Sequence, residues 1–497
     1  MVYFREYACE VSDFHGIKHI AGKGGLLRRL FWLLCFLSAL GVFLWQTVLL
    51  FFFYFEDHHI TKVDVSYESS LVFPAVTVCN FNKYRESALT EDDIKNVGIH
   101  LGIIDEDHNL IYPTLYTEEF QNKIASVNWT GVEEDDNYNM TDFQLRTGHQ
   151  IDDMIIECTW RGEECEDEYF THIFTHLGNC YTFNKYSSDS DLLTSPAAGP
   201  ANGLKLMLDI ETEEYVPSND LDGGASDSGV MVMVHDATEP PYVKEFAMPV
   251  GPGFHTFISM RHESITALPS PYTDCETDGD IEYYDHYSLQ ACRIECETNI
   301  VVEACGCKLI EQPGTEPNCN PNTTHECAHP QLVDAIHGVS EFGSCNCGSP
   351  CKAEVYPITM ASTKLRSAYL EKIFQEKTSF DHNASYIEEN VVALSVYFEA
   401  LNYETIEQIP AMDTYTLLAT VGGNMGLFIG AGLLTLIQLL EYFLDEILSL
   451  CGITRDNERD EVAVFCGCRK KNKTDDSSKS PGGESDNNGQ PLAWTSA

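Results

Sequence analysis

The sequence predicts a membrane protein in which two spanning helices, one near each end, enclose a large disulfide-rich α+β domain exposed on the outer side. Three observations predict this class. The 497 residues contain two long apolar stretches, Leu30–Phe55 and roughly Met412–Leu450. Fourteen of the 19 cysteines lie between them, from Cys79 to Cys351. The formal charge is −47, from 77 acidic against 30 basic residues, and the acidic excess sits in the same intervening segment. An even block of cysteines marks an oxidising compartment, and so acidic a surface argues against nucleic acid as a partner.

The elements follow in chain order. Residues 1–29 contain Gly16, Gly22, Gly24 and Gly25, which suit a flexible or re-entrant approach to the membrane. Leu30–Phe55 carries no charge and is long enough to span. It is too long for a cleavable signal peptide and ends in Phe51-Phe-Phe-Tyr-Phe55, so it is expected to stay as an anchor. Lys18, Lys23, Arg28 and Arg29 precede it, and Arg455, Arg459, Arg469, Lys470, Lys471 and Lys473 follow the second stretch. The positive-inside rule then puts both termini in the cytoplasm and residues 56–411 outside. Asn128, Asn139, Asn322 and Asn383 are glycosylation sequons on the outer side. Cys9, Cys35, Cys451, Cys466 and Cys468 fall in membrane or cytoplasmic segments and are expected to be reduced. The tail 451–497 is rich in Ser, Gly, Asp and Asn beyond Asp475 and is expected to be largely disordered.

Within the outer domain, Ser70-Leu-Val-Phe-Pro-Ala-Val-Thr-Val-Cys79 reads as a strand, with Pro74 pointing to a sheet edge. Residues 86–180 read as acidic loops mixed with short amphipathic helices, including one carrying His172 and His176 as solvated residues four apart. Gly203–Ile210 and Gly229–His235 alternate as strands around an acidic loop, Asn219–Ser228. Tyr287–Glu303 has helical spacing and puts Cys292 and Cys296 on one face. A second helix is predicted over Gln331–Ile336 and a returning strand over Val391–Phe398. Cys305-x-Cys307 and Cys345-x-Cys347 suit disulfides better than zinc outside a cell, so no metal site is expected. No cofactor motif or activated nucleophile is found, which argues against an ecto-enzyme.

The second apolar stretch is the most informative. It is interrupted by Gly422, Gly423, Asn424, Gly426, Gly430, Gly432, Gln438 and Glu441. Polar groups and loosened backbone persist at membrane depth only where they face protein or a water-filled path. The segment therefore reads as a pore lining, a feature that an adhesive receptor would not need. Helix-packing glycines are the competing reading for Gly422, Gly426 and Gly430.

Several motifs carry a family resemblance. His15-Gly16, Phe73-Pro-Ala-Val-Thr-Val-Cys-Asn80, Ala291-Cys-Arg-Ile-Glu-Cys-Glu-Thr298, Phe398-Glu-Ala-Leu-Asn-Tyr-Glu-Thr-Ile-Glu-Gln408 and Gly422-Gly-Asn-Met-Gly-Leu-Phe-Ile-Gly-Ala431 resemble the degenerin/epithelial sodium channel superfamily, and most closely its acid-sensing ion channels. The resemblance covers about residues 14–450. It implies a plasma-membrane, amiloride-blockable, sodium-preferring cation channel, homotrimeric or heterotrimeric with related subunits. Its outer domain would comprise a finger (about 85–180), a thumb (about 276–355), a knuckle, a β-ball and palm strands near 60–80 and 390–411. It also implies the pairing Cys79–Cys180, Cys158–Cys165, Cys275–Cys351, Cys292–Cys347, Cys296–Cys345, Cys305–Cys327 and Cys307–Cys319. ATP-gated trimers share two spans and a disulfide-rich outer domain, but need clustered basic residues that this acidic domain lacks.

By the same resemblance, Gly430-Ala431-Gly432 is the selectivity filter, with Gly432 in place of the family's serine. Gln438 and Glu441 line the inner pore, Glu441 keeping a carboxylate. Thr420 replaces an outer-mouth aspartate while Asp413 remains, so calcium and amiloride block are expected to weaken. Ala419 is the position where bulky side chains hold degenerins open. His15-Gly16 is the cytoplasmic re-entrant loop, and Leu401-Asn402 the linker of desensitisation. Candidates for proton sensing are His58, His59, Asp64, Glu214, Asp220, Asp222, Asp227, Glu399 and Glu404. The acidic pocket is depleted: His329, Val333 and Ser395 stand where the family has carboxylates. Acid alone is therefore expected to gate weakly; the resemblance still makes protons the expected stimulus, with another extracellular ligand, such as a neuropeptide or bile acid, as the alternative.

Overall fold

Leu26–Phe55 forms one continuous helix of 30 residues, starting four residues before the uncharged stretch, with none of its side chains buried. At about 1.5 Å per residue it exceeds the ~30 Å of a hydrocarbon core. Its exposed Leu, Phe and Trp side chains suit lipid rather than water. Among the described residues it is the single unbroken helix long and apolar enough to cross a membrane. The computed structural model describes residues 14–22, 25–130, 138–187, 191–217, 227–277, 279, 281–377, 380 and 382–450. Asp220, Asp222, Cys9, Cys451, Cys466, Cys468 and the tail lie outside them. The chain divides into two units, residues 52–414 and the terminal segments flanking them.

The unit spanning residues 52–414 is built on strands. In chain order these are β1 (His59–Tyr67), β2 (Leu71–Val72), β3 (Ala75–Asn80), β4 (Ile155–Trp160), β5 (Glu163–Glu164), β6 (Phe170–Thr175), β7 (Gly178–Phe183) and β8 (Thr194–Ser195). Then follow β9 (Leu204–Asp209), β10 (Val230–His235), β11 (Met248–Val250), β12 (Phe254–Thr266), β13 (Lys352–Val355), β14 (Ile358–Lys364) and β15 (Val391–Pro410). One sheet has the order β13-β12-β15-β9-β4-β5, with β1 added on β15 and β14 on β12. The second has the order β11-β10-β3-β7-β6. β2 and β8 form a separate pair.

The two sheets share one apolar core, to which Val76 and Val78 of β3, Leu204, Leu206 and Leu208 of β9, and Val392, Leu394 and Val396 of β15 all contribute. Phe73 is fully buried at its centre, edge-on to Trp160 at 4.6 Å and to Phe398 at 5.8 Å between ring centroids. The start of β15, Val391–Phe398, is buried almost throughout, Ser395 included, because both faces are covered. Val392, Leu394 and Val396 face the shared core, while Val391 packs with Phe374 and Ile387 of the helices Ser367–Lys377 and Ala384–Asn390. Beyond Phe398 burial falls and the strand pairs instead with the exposed β1.

The structure corrects two readings. β3 is not an edge strand: it lies between β10 and β7 with all six residues buried. Pro74 immediately precedes it, so its missing N–H falls outside the ladder. His172 and His176 are not on a helix. His172 lies in β6, its ring nitrogen 3.1 Å from Asn179 Oδ1, and His176 in the two-residue turn to β7. Pattern misled here because the hairpin's pairing with distant β3 overrides local spacing.

The helical part of the predicted finger ends at Met154. Its helices start at side-chain caps: Thr90 with Asp93 in a capping box for Glu91–Val97, Thr117 for Glu118–Ser126 and Asn139 for Met140–Thr147. Ile94, Phe120 and Phe143 form their common core. Further on, Ser288 caps Leu289–Cys305, which ends at Gly306 in the left-handed region (φ 72°). Cys292 and Cys296 of this helix join Cys347 and Cys345. Cys275–Cys351, Cys305–Cys327 and Cys307–Cys319 close the rest of this region, Cys79–Cys180 joins β3 to β7, and Cys158–Cys165 ties β4 to the residue after β5. Each closure of a long loop contributes about 2–4 kcal/mol by restricting the unfolded chain.

Candidate ion pathway and sensor residues

Thr414–Ile429 and Leu433–Leu450 are separate helices. Thr414–Ile429 and the first part of the next helix, Leu433–Glu441, meet at 73°. The break lies at Gly430-Ala431-Gly432. Gly430 has φ +68°, the left-handed conformation that ends helices and that glycine adopts without steric cost. The Ala431 amide reaches back six residues to the Met425 carbonyl at 3.4 Å, closing that end. On the other side, the Gly432 amide donates to Thr435 Oγ1 at 3.2 Å and the Gly432 carbonyl accepts from Leu436 at 3.2 Å, opening the next helix. The backbone thus leaves helical geometry for three residues within an apolar segment.

His15 and Gly16 meet this break. The His15 amide donates to the Ile429 carbonyl at 3.0 Å. A Cβ on Gly430 would stand 2.5 Å from His15 Cγ, so the imidazole lies directly over the glycine. Gly16 takes φ +84° at the start of the short helix Ile17–Ala21. His19 on that helix stacks on Trp32 of the long apolar helix, with ring centroids 4.5 Å apart. Residues 15–19 therefore tie the first apolar helix to the break in the second. His19 and Trp32 were missed in the sequence; an aromatic residue just inside the span after Arg28-Arg29 was the available signal.

The remaining pore candidates lie on or next to the two helices. Thr420 donates its hydroxyl to the Thr416 carbonyl at 2.7 Å, one turn back. Ala419 and Asp413 are exposed in the single chain. Ala431 is buried, at 1% exposure, while Gly432 has nothing within 4 Å of a Cβ. The Gln438 amide oxygen is buried without a hydrogen-bond partner among the described residues, and Glu441 is exposed.

A family model described as amiloride-sensitive sodium channel matches residues 8–442. This chain belongs to that family. Among curated relatives, acid-sensing ion channel 1C of Danio rerio is 38% identical over 437 residues, covering 87% of this chain and 81% of the relative. Acid-sensing ion channel 2 of Rattus norvegicus is 38% identical over 439 residues, covering 87% and 84%. Acid-sensing ion channel 1 of Gallus gallus is 38% identical over 436 residues, covering 87% and 82%. The chain is thus a membrane channel of the amiloride-sensitive family with a disulfide-rich outer domain, and the family is one of ion channels rather than enzymes.

In this channel the sensor candidates fall into separate places. His58 Nε2 lies 3.0 Å from Glu56 Oε2, and its ring packs on Phe53 at 4.9 Å. His59 is exposed and opens β1 opposite Pro410. Asp64 pairs with Lys62 on the same strand, and this hydrogen bond raises the lysine's pKa. Glu404 faces Val65 across the β1–β15 ladder. Glu399 sits 3.9 Å from Arg261 Nε. Glu214 accepts from the Ser87 amide at 2.8 Å, far along the fold from these, and Asp227 is exposed.

Leu401-Asn402 lies where the sheet is irregular. β12 and β15 run parallel in register up to Met260–Phe398 and resume at His262–Tyr403, so four residues of β15 oppose Arg261 alone. Asn402 Oδ1 is buried there without a partner among the described residues. The sequoned asparagines Asn128, Asn139, Asn322 and Asn383 are all exposed, with Asn139 and Asn383 capping helices through their side chains.

Proposed function

We propose that this chain forms a sodium-preferring cation channel of the plasma membrane, opened by extracellular protons and then desensitising. It works as a trimer with both termini in the cytoplasm. The observation that carries this reading is the break at Gly430-Ala431-Gly432, held from one side by His15. Three such breaks around an axis would present rings of backbone carbonyls able to replace a sodium ion's hydration shell. Gly432 leaves the ring without a side-chain hydroxyl, so discrimination against potassium is expected to be modest. Three copies of Glu441, with Gln438 between them and the filter, would draw cations to the inner mouth and repel anions. Asp413 and Thr420 would form the outer mouth where amiloride-type blockers act, and Ala419 is small enough to let it close.

Proton opening is supported by what the relatives are named for and by the histidines and carboxylates at His58, His59, Asp64, Glu399 and Glu404. Desensitisation is supported by the interrupted ladder at Leu401-Asn402, a place where the palm strand can rearrange without unzipping the rest of the sheet. A second reading, gating by another extracellular ligand with protons as modulators, rests on one observation. Ser395 is fully buried and bonded to His255 at 2.9 Å, so the family's palm carboxylate is replaced by a satisfied neutral group.

The test is whole-cell recording during acid steps with sodium or potassium as charge carrier. A transient inward current that reverses nearer the sodium than the potassium potential is the expected result. No current down to about pH 4 would transfer the reading to the second ligand class. No current under any stimulus, including from purified protein in bilayers, would end the channel reading for this chain.

A further inference from the structure

Beside the interrupted ladder sits a histidine–carboxylate pair outside the sensor set above. His262 is the residue at which β12 regains register with β15, and its side chain is only 12% exposed. Its Nε2 lies 2.8 Å from Glu354 Oε2 on the neighbouring β13, and the other oxygen of Glu354 accepts the Ser264 hydroxyl at 2.8 Å. The imidazole stacks flat on Tyr356, with centroids 4.9 Å apart and planes 7° apart, and stands edge-on to Tyr403 at 4.8 Å. Tyr403 is the first residue of β15 after the four that bulge out. The ring is thus clamped between two tyrosines, one of them the end of the bulge.

The second nitrogen of this ring makes the arrangement sensitive to protonation. With Nε2–H given to Glu354, His262 Nδ1 is a bare lone pair, buried and without a partner among the described residues. A neutral ring tolerates this at modest cost. Protonation turns Nδ1 into a charged donor, and a buried donor without an acceptor is far less tolerable than a bare lone pair. Glu354 opposes the charge on one side only. The cheapest relief is movement of the adjoining bulge, where Glu399 and Ala400 match no partner in the registers of β1, β9 or β12.

The other charges around the ring act on the same balance. Arg261 and Glu263 flank it on β12, Arg261 being 3.9 Å from Glu399, while Glu263 is opposite Glu404. Asp236 and Glu239, from the loop after β10, act on Tyr356, and burial pushes the Glu239 carboxyl up to about 7. The Glu239 charge beyond Tyr356 is thus lost as the medium acidifies below about 7.

We infer that His262 and Glu354 form a proton-binding pair whose charging drives the β15 bulge at Glu399–Asn402 to rearrange, and so sets the pH at which the channel desensitises. This deepens the proton-gated reading and rests on it. His262→Gln keeps a donor toward Glu354 but cannot take a second proton. It is expected to shift the midpoint of steady-state desensitisation by at least 0.3 pH unit. Glu354→Gln is expected to shift it too, and the double variant to do no more than the larger single one. Independent, additive shifts, or shifts below 0.1 unit in both, would overturn the pair.

A second measurement stands without any proton-evoked current. In intact cells expressing the full chain with Ala400→Cys, the labelling rate by a membrane-impermeant thiol reagent is followed from pH 8 to pH 5 and divided by the rate for a free thiol at the same pH, which removes the titration of the thiolate itself. A change of threefold or more, abolished by His262→Gln, supports the coupling even if acid opens no current, which would remove only the proton-gated reading. A rate that ignores pH, or that titrates identically in His262→Gln, overturns the inference whatever the currents do.

Discussion

Replacing Gly430 by alanine separates the two reasons that position is glycine. The residue has φ +68°, and placing an L-side chain in that region costs about 1–2 kcal/mol. The new methyl would stand 2.5 Å from His15 Cγ, below the 3.0 Å that real Cβ atoms keep. The imidazole cannot simply swing away with its backbone, because the His15 amide holds the Ile429 carbonyl at 3.0 Å. Forcing such overlap in a packed site costs about 1–3 kcal/mol. Together these give about 2–5 kcal/mol, which lowers the population of the intact break by a factor between about thirty and several thousand. The assay is current density normalised to surface protein, with thermal inactivation of the detergent-solubilised protein as a second readout. Gly430→Ala is expected to lose most of its current. In a His15→Ala background the overlap disappears and the backbone term remains. There Gly430→Asn, which tolerates left-handed φ, should approach the parent while Gly430→Ala stays impaired. Normal current and stability in Gly430→Ala would refute both the strained break and its contact with His15.

Three further outcomes follow from the same geometry. Gly432→Ser meets nothing within 4 Å of its new Cβ, so the protein is expected to fold and to discriminate sodium from potassium more strongly; an unchanged reversal potential under mixed-cation conditions would refute a loosened filter. Glu441→Gln is expected to lower unitary sodium conductance, more at low than at high ionic strength because salt screens the carboxylate ring, and equal loss at both would place Glu441 off the ion path. Burial pushes the Asp209 carboxyl up to about 6, against hydrogen bonds from the Glu211 amide and the Tyr386 hydroxyl. Its folded pKa is raised above the unfolded value, so its stabilising contribution is complete below about pH 4 and is lost as pH rises through about 6. A shift of roughly two units corresponds to about 3 kcal/mol. Asp209→Asn is therefore expected to raise the thermal midpoint at pH 7.4 and to flatten its dependence between pH 4 and 6, and identical pH profiles would contradict the buried ionisation.

The features legible in the sequence were those carried by local composition. The uncharged run Leu30–Phe55 specified a spanning helix because nothing but lipid or a core accommodates so many adjacent apolar side chains, although the helix begins at Leu26. The glycines after Gly422 marked a weak point in the second segment, and the helix breaks at Gly430-Ala431-Gly432. Ser288 and Gly306, a cap and a left-handed stop, bracket a helix that spacing alone placed two residues earlier. The misreadings came where partners far along the chain decide. Pro74 looked like an edge because a proline inside a ladder is excluded, yet it stands one residue before a central strand. His172 and His176 looked helical because a spacing of four was read without the hairpin that holds one on a strand and the other in its turn.

Taken alone, the sequence determined that this chain is a membrane channel of this family with a stapled outer domain, because hydropathy, cysteine count and motif order are properties of residues near one another. Only the tertiary structure decided that His15 lies over Gly430, more than four hundred residues away, and that His262 meets Glu354 and Tyr403 at a break in a parallel ladder. Such meetings depend on sheet register and on the close approach that a missing side chain permits. Neither leaves a periodic trace in the chain, since register is fixed jointly by strands that the sequence does not place side by side.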